Sequence, residues 1–143
     1  MAKENIPAIM RDFVESMGKK DTEKTLSFLT DDAEWVTPIK TLKGKDAIKK
    51  YLSSEAVQGM NVTETGNGII VDGNKAFFEH TIEVSYGGKK AKALAFCAYE
   101  FSDEKIKVLR TVFDRLLIAQ QISGGIPRML VNQIIKQTEK MIE

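Results

Sequence analysis

The side chains best suited to acid–base chemistry in this sequence are His80, Arg110 and Asp114. An unperturbed imidazole titrates at about 6.5, so His80, the single histidine, can donate or accept a proton near neutrality. Asp114 ends the last long apolar stretch. At the rim of an apolar trough, desolvation would raise its pKa and suit it to general acid or base work. It also directly precedes Arg115-Leu116-Leu117, where an aspartate can cap a helical turn instead. Arg110 can orient a carboxylate, enolate or carbonyl oxygen, or it can neutralise Asp114 or Asp32. His80 has a structural alternative of its own, a hydrogen-bonded core histidine. Trp35, Phe78, Tyr99 and Val112 are the expected ligand-binding wall. The two larger rings would add a polar handle to a flat apolar surface, although core packing competes for Trp35.

These groups need elements to hold them. The first half of the chain has helical periodicity, with Ile6, Ile9, Met10, Phe13, Val14 and Met17 at three- and four-residue steps. Pro7 suits a first turn and Gly18 a stop. Asp21 or Thr22 can cap a second helix carrying Leu26 and Leu29. A break at Thr30-Asp31-Asp32 precedes a short extended piece, Ala33 to Pro38. Gly44 and Asp46 open a third helix with Ile48, Tyr51 and Leu52 on one side. From Asn61 the period becomes two, giving strands near 61–71, 75–86, 89–102 and 105–115, punctuated by Gly73, Gly87-Gly88 and Asp103-Glu104. Short connections imply antiparallel hairpins. Helical period returns from Leu116 to Ile122, and after Gly124-Gly125 a last amphipathic helix covers about 126–143.

Strand parity then decides which side chains meet. A two-residue loop at Asp103-Glu104 sets Phe101 opposite Ile106, Glu100 opposite Lys107, Tyr99 opposite Val108 and Cys97 opposite Arg110. A loop at Gly87-Gly88 sets Glu83 opposite Lys92 and His80 opposite Ala95. Opposed charges mark one face as partly solvated. By alternation the other face carries Phe78, His80, Ile82, Ala93, Ala95, Cys97, Tyr99, Arg110, Val112 and Asp114. His80 would stand roughly 10 Å from the Arg110–Asp114 strand, with room for a small ligand between. The small residues Ala93, Ala95 and Cys97 between taller neighbours describe a trough, which is either a ligand cavity or the seat of a closely docked helix. Leu94, Phe96, Leu109 and Phe113 fall on the charged face as an apolar patch, the expected homodimer surface.

Composition narrows the classes. The 143 residues are 43% hydrophobic and 29% charged, with a formal net charge of +1. That fits one domain and gives no electrostatic case for nucleic acid or an anionic membrane. The lysine clusters at 19–20, 43–50 and 89–92 are interrupted and read as solvated faces. A lone cysteine, Cys97, excludes an intramolecular disulfide and reads as a buried, inert thiol. With Met1 to Asn5 leading into Arg11, Asp12 and Glu15 rather than a signal-like apolar stretch, the expectation is a cytoplasmic protein. No apolar run reaches membrane-span length. One histidine and one cysteine cannot make a conventional zinc site. Gly124-Gly125 lacks a phosphate-binding fingerprint, and no Gly-x-Ser-x-Gly elbow occurs. The expected chemistry uses no cofactor.

The order helix, helix, short strand, helix, four-stranded meander resembles the SnoaL-like branch of the nuclear-transport-factor-two-like superfamily. Lys20-Asp21, Leu26, Leu29 and Asp31-Asp32-Ala33-Glu34-Trp35 are similar to its second helix and first strand. Leu42-Lys43-Gly44-Lys45-Asp46-Ala47-Ile48 is similar to its glycine-led third helix. Lys105-Ile106 through Phe113-Asp114 to Gln120-Gln121 is similar to its last strand and exit. The resemblance covers about 5–122 and implies a cone-shaped α+β roll, a curved antiparallel sheet wrapped around N-terminal helices. One domain would then span 1–143, with an extra C-terminal helix over about 123–143. The family includes polyketide cyclases, ketosteroid isomerases, limonene epoxide hydrolases, dehydratases and binding proteins. The resemblance implies a pocket for a small apolar molecule. Asp114 stands where the cyclase branch has a catalytic aspartate, with His80 as its partner and Arg110 as orienter in isomerase-, cyclase- or dehydratase-like chemistry. The alternative is a non-catalytic ligand-binding or dimerisation module.

Overall fold

Ile6, Met10 and Phe13 share one side of helix α1 (Ile6–Gly18) and are buried to 1% exposure or less. Burying that stripe is what holds the helix in place. In this computed structural model the described residues are 5–142. The opening residues 1–4, read above for targeting signals, and residue 143 of the expected last helix lie outside them. Asp21 caps α2 (Thr22–Ser27), its Oδ1 accepting from the Lys24 N–H at 3.1 Å. There follow β1 (Leu29–Val36), β2 (Thr41–Lys43), α3 (Gly44–Leu52), α4 (Glu55–Gln58), β3 (Met60–Asp72), β4 (Lys75–Tyr86), β5 (Lys89–Ser102), β6 (Lys105–Phe113), α5 (Arg115–Ile122) and α6 (Gly125–Lys140).

The six strands form one sheet in the order β2-β1-β6-β5-β4-β3. All neighbours are antiparallel except β1 and β6, which run parallel. The fold is the expected α+β type, with helices on the concave side of a curved sheet. Part of the curvature is built into β3, where the register against β4 shifts between Glu64 and Ile69. Gly66 lies in that shift with φ +60, and a Cβ there would meet the Glu79 carboxylate at 1.9 Å. Such a bulge bends a strand and sharpens its twist.

Three local expectations are corrected. Leu29 belongs to β1 rather than to the second helix, and Asp31-Asp32 lie inside β1, at an irregularity in its pairing with β6. The short β2 and α4 have too few residues to show a period. The third correction reorganises the candidate site. Phe101 does face Ile106, but Glu100 faces Val108, Tyr99 faces Leu109 and Cys97 faces Thr111. Lys107 is therefore an extra residue in β6, a bulge that inverts the parity of everything after it. Leu109, Thr111 and Phe113 turn inward, while Arg110 and Val112 turn out.

The row of alanines is also resolved. Ala91, Ala93 and Ala95 pack with Ile82 against Ile118 of α5. They are the seat of a closely docked helix. Gln121 fixes this docking: its side-chain amide accepts from the Lys92 N–H at 2.9 Å and donates to the Lys92 carbonyl at 2.8 Å. Those are strand-like bonds to a part of β5 that extends beyond its pairing with β6. The last helix, α6, has no buried residue and packs chiefly on α5.

Candidate functional site

Beyond the alanine row, the concave face opens into a cavity under α1. It is lined by the aromatic rings of Phe13, Trp35, Tyr51, Phe78, Tyr99 and Phe113. Val14, Met17, Val57, Met60, Val62, Ile82 and Leu109 complete the apolar wall, with His80, Cys97 and Thr111 as further polar members. No aspartate, glutamate, lysine or arginine is among them. The cavity measures about 40 Å³, room for about three waters at the 10–15 Å³ that each requires.

His80 is 3% exposed and is the only residue on this wall that commonly titrates near neutrality. Its ring stacks on Phe78, two residues away on the same face of β4, with centroids 4.5 Å apart and 17° between planes. Its Nδ1 lies 3.2 Å from the Phe78 carbonyl oxygen. A carbonyl can only accept, so Nδ1 carries the proton and Nε2 is left with a lone pair. Burial lowers the imidazole pKa, opposed by that backbone hydrogen bond. The ring is thus held neutral, as an acceptor or base.

Tyr99 is 2% exposed and Tyr51 is half-buried. Burial, and then proximity to Cys97, raises both phenol pKa values, so both remain protonated. Neither hydroxyl has a hydrogen-bond partner among the described residues. The one sealed side-chain oxygen or nitrogen without a partner there is Thr30 Oγ1, so the phenol oxygens reach open space. For Tyr99 that space is the cavity it lines. Trp35 is oriented by a bond from its Nε1–H to Thr111 Oγ1 at 3.0 Å, and its ring meets Tyr51 edge-on at 5.3 Å. Thr111 Oγ1 is also 3.2 Å from Cys97 Sγ. Burial pushes the Cys97 thiol up to about 12, against a smaller lowering by that hydrogen bond. It is an inert neutral group. Among the described residues, no cluster of three or more His, Cys, Asp or Glu side chains has metal-binding geometry.

Three expected site residues are elsewhere. Arg110 faces outward and pairs with Glu100 at 3.3 Å. Val112 is 61% exposed on the same outer face. Asp114 is exposed and caps α5, its Oδ1 accepting from the Leu117 N–H at 2.9 Å. Arg110 and Val112 were misplaced by the Lys107 bulge, and Asp114 takes the capping role. His80, Trp35, Phe78 and Tyr99 are brought together around the cavity. Thr111, Phe113 and Leu109 were missed for the same reason of parity. The Tyr51 periodicity was visible, but its meeting with Trp35 was not.

The model of the SnoaL-like domain matches residues 10–109, and the chain belongs to that family. No curated protein matches it in sequence. Among solved structures it is similar to TerC co-crystallised with polyporic acid, at TM-score 0.73 and 22% identity over 82% of this chain and 97% of that one. An NTF2-like protein of unknown function from Burkholderia pseudomallei superposes at TM-score 0.73 and 17% identity, over 87% and 100% of the two chains. An epoxide hydrolase of the LEH-like type from M. tuberculosis gives TM-score 0.70 and 18% identity over 93% and 97%. At these identities the likeness concerns the fold. No described helix is long and apolar enough to cross a membrane.

Proposed function

We propose that this chain binds a small, uncharged, mainly aromatic molecule in the cavity under α1, with His80 as the residue that accepts a hydrogen bond or a proton from it. The observation that carries this reading is a wall with no formally charged side chain, in which a neutral imidazole and a phenol have polar atoms that lack a protein partner and are not sealed from open space. Such atoms can pair with a ligand that has matching groups. A phenolic or enolisable ligand can donate to His80 Nε2, and its carbonyl can accept from Tyr99. Any acid–base turnover would depend on His80 as base, with the phenol steadying developing negative charge.

The test is a titration of the single tryptophan's fluorescence with para-hydroxyacetophenone. Saturable quenching is expected, with affinity weakened about fivefold to tenfold in His80→Phe, the equivalent of one neutral hydrogen bond. Asp114→Asn should leave the affinity as it is. Absence of saturable binding across a panel of neutral aryl ketones and phenols would defeat the reading. Deuterium exchange at the ligand's acyl methyl group separates enzyme from binder, because only a working base accelerates it.

We further propose that two copies associate through the convex face of the sheet. Ile70, Phe77, Leu94, Phe96 and Val112 are 46–61% exposed there. The register places Ile70 opposite Phe77, and Phe96 opposite Val112, so the apolar area runs across four strands. Patches of that continuity mark interaction sites.

A further inference from the structure

By itself the cavity is smaller than an ordinary ligand site, so even a compact aryl ketone presses on its wall. Ordinary small-molecule sites occupy about 300–1,000 Å³, against about 40 Å³ here. Immediately outside it lies a groove of about 260 Å³ between the end of α1 and the start of β3. Five side chains, Val14, Met17, Val57, Met60 and Val62, wall both spaces. The partition is therefore one side chain thick, and two of its members are methionines, whose unbranched, flexible side chains repack easily. Only the two spaces joined reach the size of a ligand site. The groove also differs in chemistry: Glu15, Lys19 and Asn61 stand at its rim, whereas the inner wall has no charge.

The two sides of the partition are braced by one residue. Lys20 follows α1 with φ +60, a left-handed conformation unusual for a residue with a side chain. From there its Nζ crosses to the other side and donates to the carbonyl oxygens of Val57 at 3.3 Å and Met60 at 2.9 Å. The spacing between α1 and the α4–β3 junction is thus set by a pair of hydrogen bonds from a lysine that burial partly desolvates.

We propose that cavity and groove are the two halves of one site for an elongated molecule, with a flat apolar head inside and a polar, hydrogen-bonding tail in the groove. Met17 and Met60 form the movable partition and Lys20 is its strut. This rests on the reading of the cavity as a binding site, and the experiment separates the two. Gly18 lines the groove but not the cavity, has an ordinary φ, and a Cβ there meets nothing within 4 Å. Gly18→Leu therefore fills the groove from its own side.

Tryptophan fluorescence is titrated with para-hydroxyacetophenone and with para-hydroxyphenyl ketones carrying progressively longer hydroxyalkyl chains on the acyl side. The expected result is that the longer compounds bind at least tenfold more tightly than the parent to the unaltered chain. In Gly18→Leu this ratio falls to near one. Stopped-flow mixing should show Lys20→Met, which keeps the aliphatic stem, speeding both entry and exit of the tailed compounds severalfold. Parent binding with no gain from the tail overturns the two-part site and leaves the inner cavity standing. A tail gain that survives in Gly18→Leu places the tail elsewhere and overturns it too. No binding by any compound removes both readings. Unchanged rates in Lys20→Met overturn the role of the strut.

Discussion

His80 combines two features that act on its proton in opposite directions, with burial the larger. Its Nδ1–H is committed to the Phe78 carbonyl, and its ring is buried against the Phe78 face. Burial lowers its pKa in the folded chain, while in the unfolded chain it returns to about 6.5. The unfolded state therefore binds the proton more readily. The stabilisation is fully present above about pH 6.5 and is lost as pH falls from there through the lower folded value. The ion-paired carboxylates Glu15 and Glu64 have pKa values lowered from 4.5 by their hydrogen bonds to Lys19 and Arg11, so they act at lower pH. Denaturant unfolding between pH 7.5 and 5.5 should thus show stability falling by at most about 1.4 kcal/mol per pH unit. His80→Phe should flatten that slope. An equal slope in the variant would show that the imidazole is not the titrating group.

At the scale of elements, the sequence was informative wherever a period ran long enough. The four long strands, α1, α3 and α6 are set by repeated apolar spacing, and the β4–β5 register follows from two glycines and the Glu83–Lys92 pairing. What it could not reveal was an extra residue in β6. Lys107 is an ordinary exposed strand residue in type, and an unbulged hairpin would equally have set it opposite Glu100. The charge match that supported the regular register is satisfied in the bulged one by Arg110 instead. The alanine row was legible as a row of small groups, but close docking and a cavity need the same small groups. Only the placement of Ile118 and Gln121 decides between them. The bulge makes a sharp prediction. Deleting Lys107 removes the bulge and makes Phe101–Ile106, Glu100–Val108 and Tyr99–Leu109 consecutive pairs of a regular ladder, with Leu109 and Phe113 still inward. Leu109 is 1% exposed, and turning one such residue out of a core costs about 2–5 kcal/mol, a loss the deletion avoids. The deletion, like Lys107→Ala, should therefore shift the melting temperature by only a few degrees. Deleting Arg110, beyond the bulge, reverses the parity of Thr111, Val112 and Phe113 and should cost more than either. A Lys107 deletion that is less stable than the Arg110 deletion would mean that Lys107 is not the extra residue.

Among the described residues, exposed apolar side chains gather chiefly on the convex sheet face and on α6. The two places are not equivalent. On α6, Ile126, Met129, Leu130 and Ile134 are each about half-exposed or more, and no residue of the helix is buried. The domain core does not need it: the two buried clusters are made by residues up to Ile118, with Ile122 packed at their edge. The convex face is instead continuous with the core strands. Phe96 sits at its middle, in the register between Glu79 and Val112, with the Glu83–Lys92 and Glu100–Arg110 pairs on the same face. A twofold pairing would bring Phe96 close to its own copy between the two flanking ion pairs. Phe96→Glu would then set two carboxylates against each other in a desolvated centre. Light scattering should find a dimer at micromolar concentration for the parent chain and a monomer for Phe96→Glu, with the melting temperature of the isolated fold little changed because Phe96 is already half-exposed. A chain ending at Ser123 should remain dimeric. Loss of the dimer in that truncated chain, with Phe96→Glu still paired, would transfer the interface from the sheet to α6.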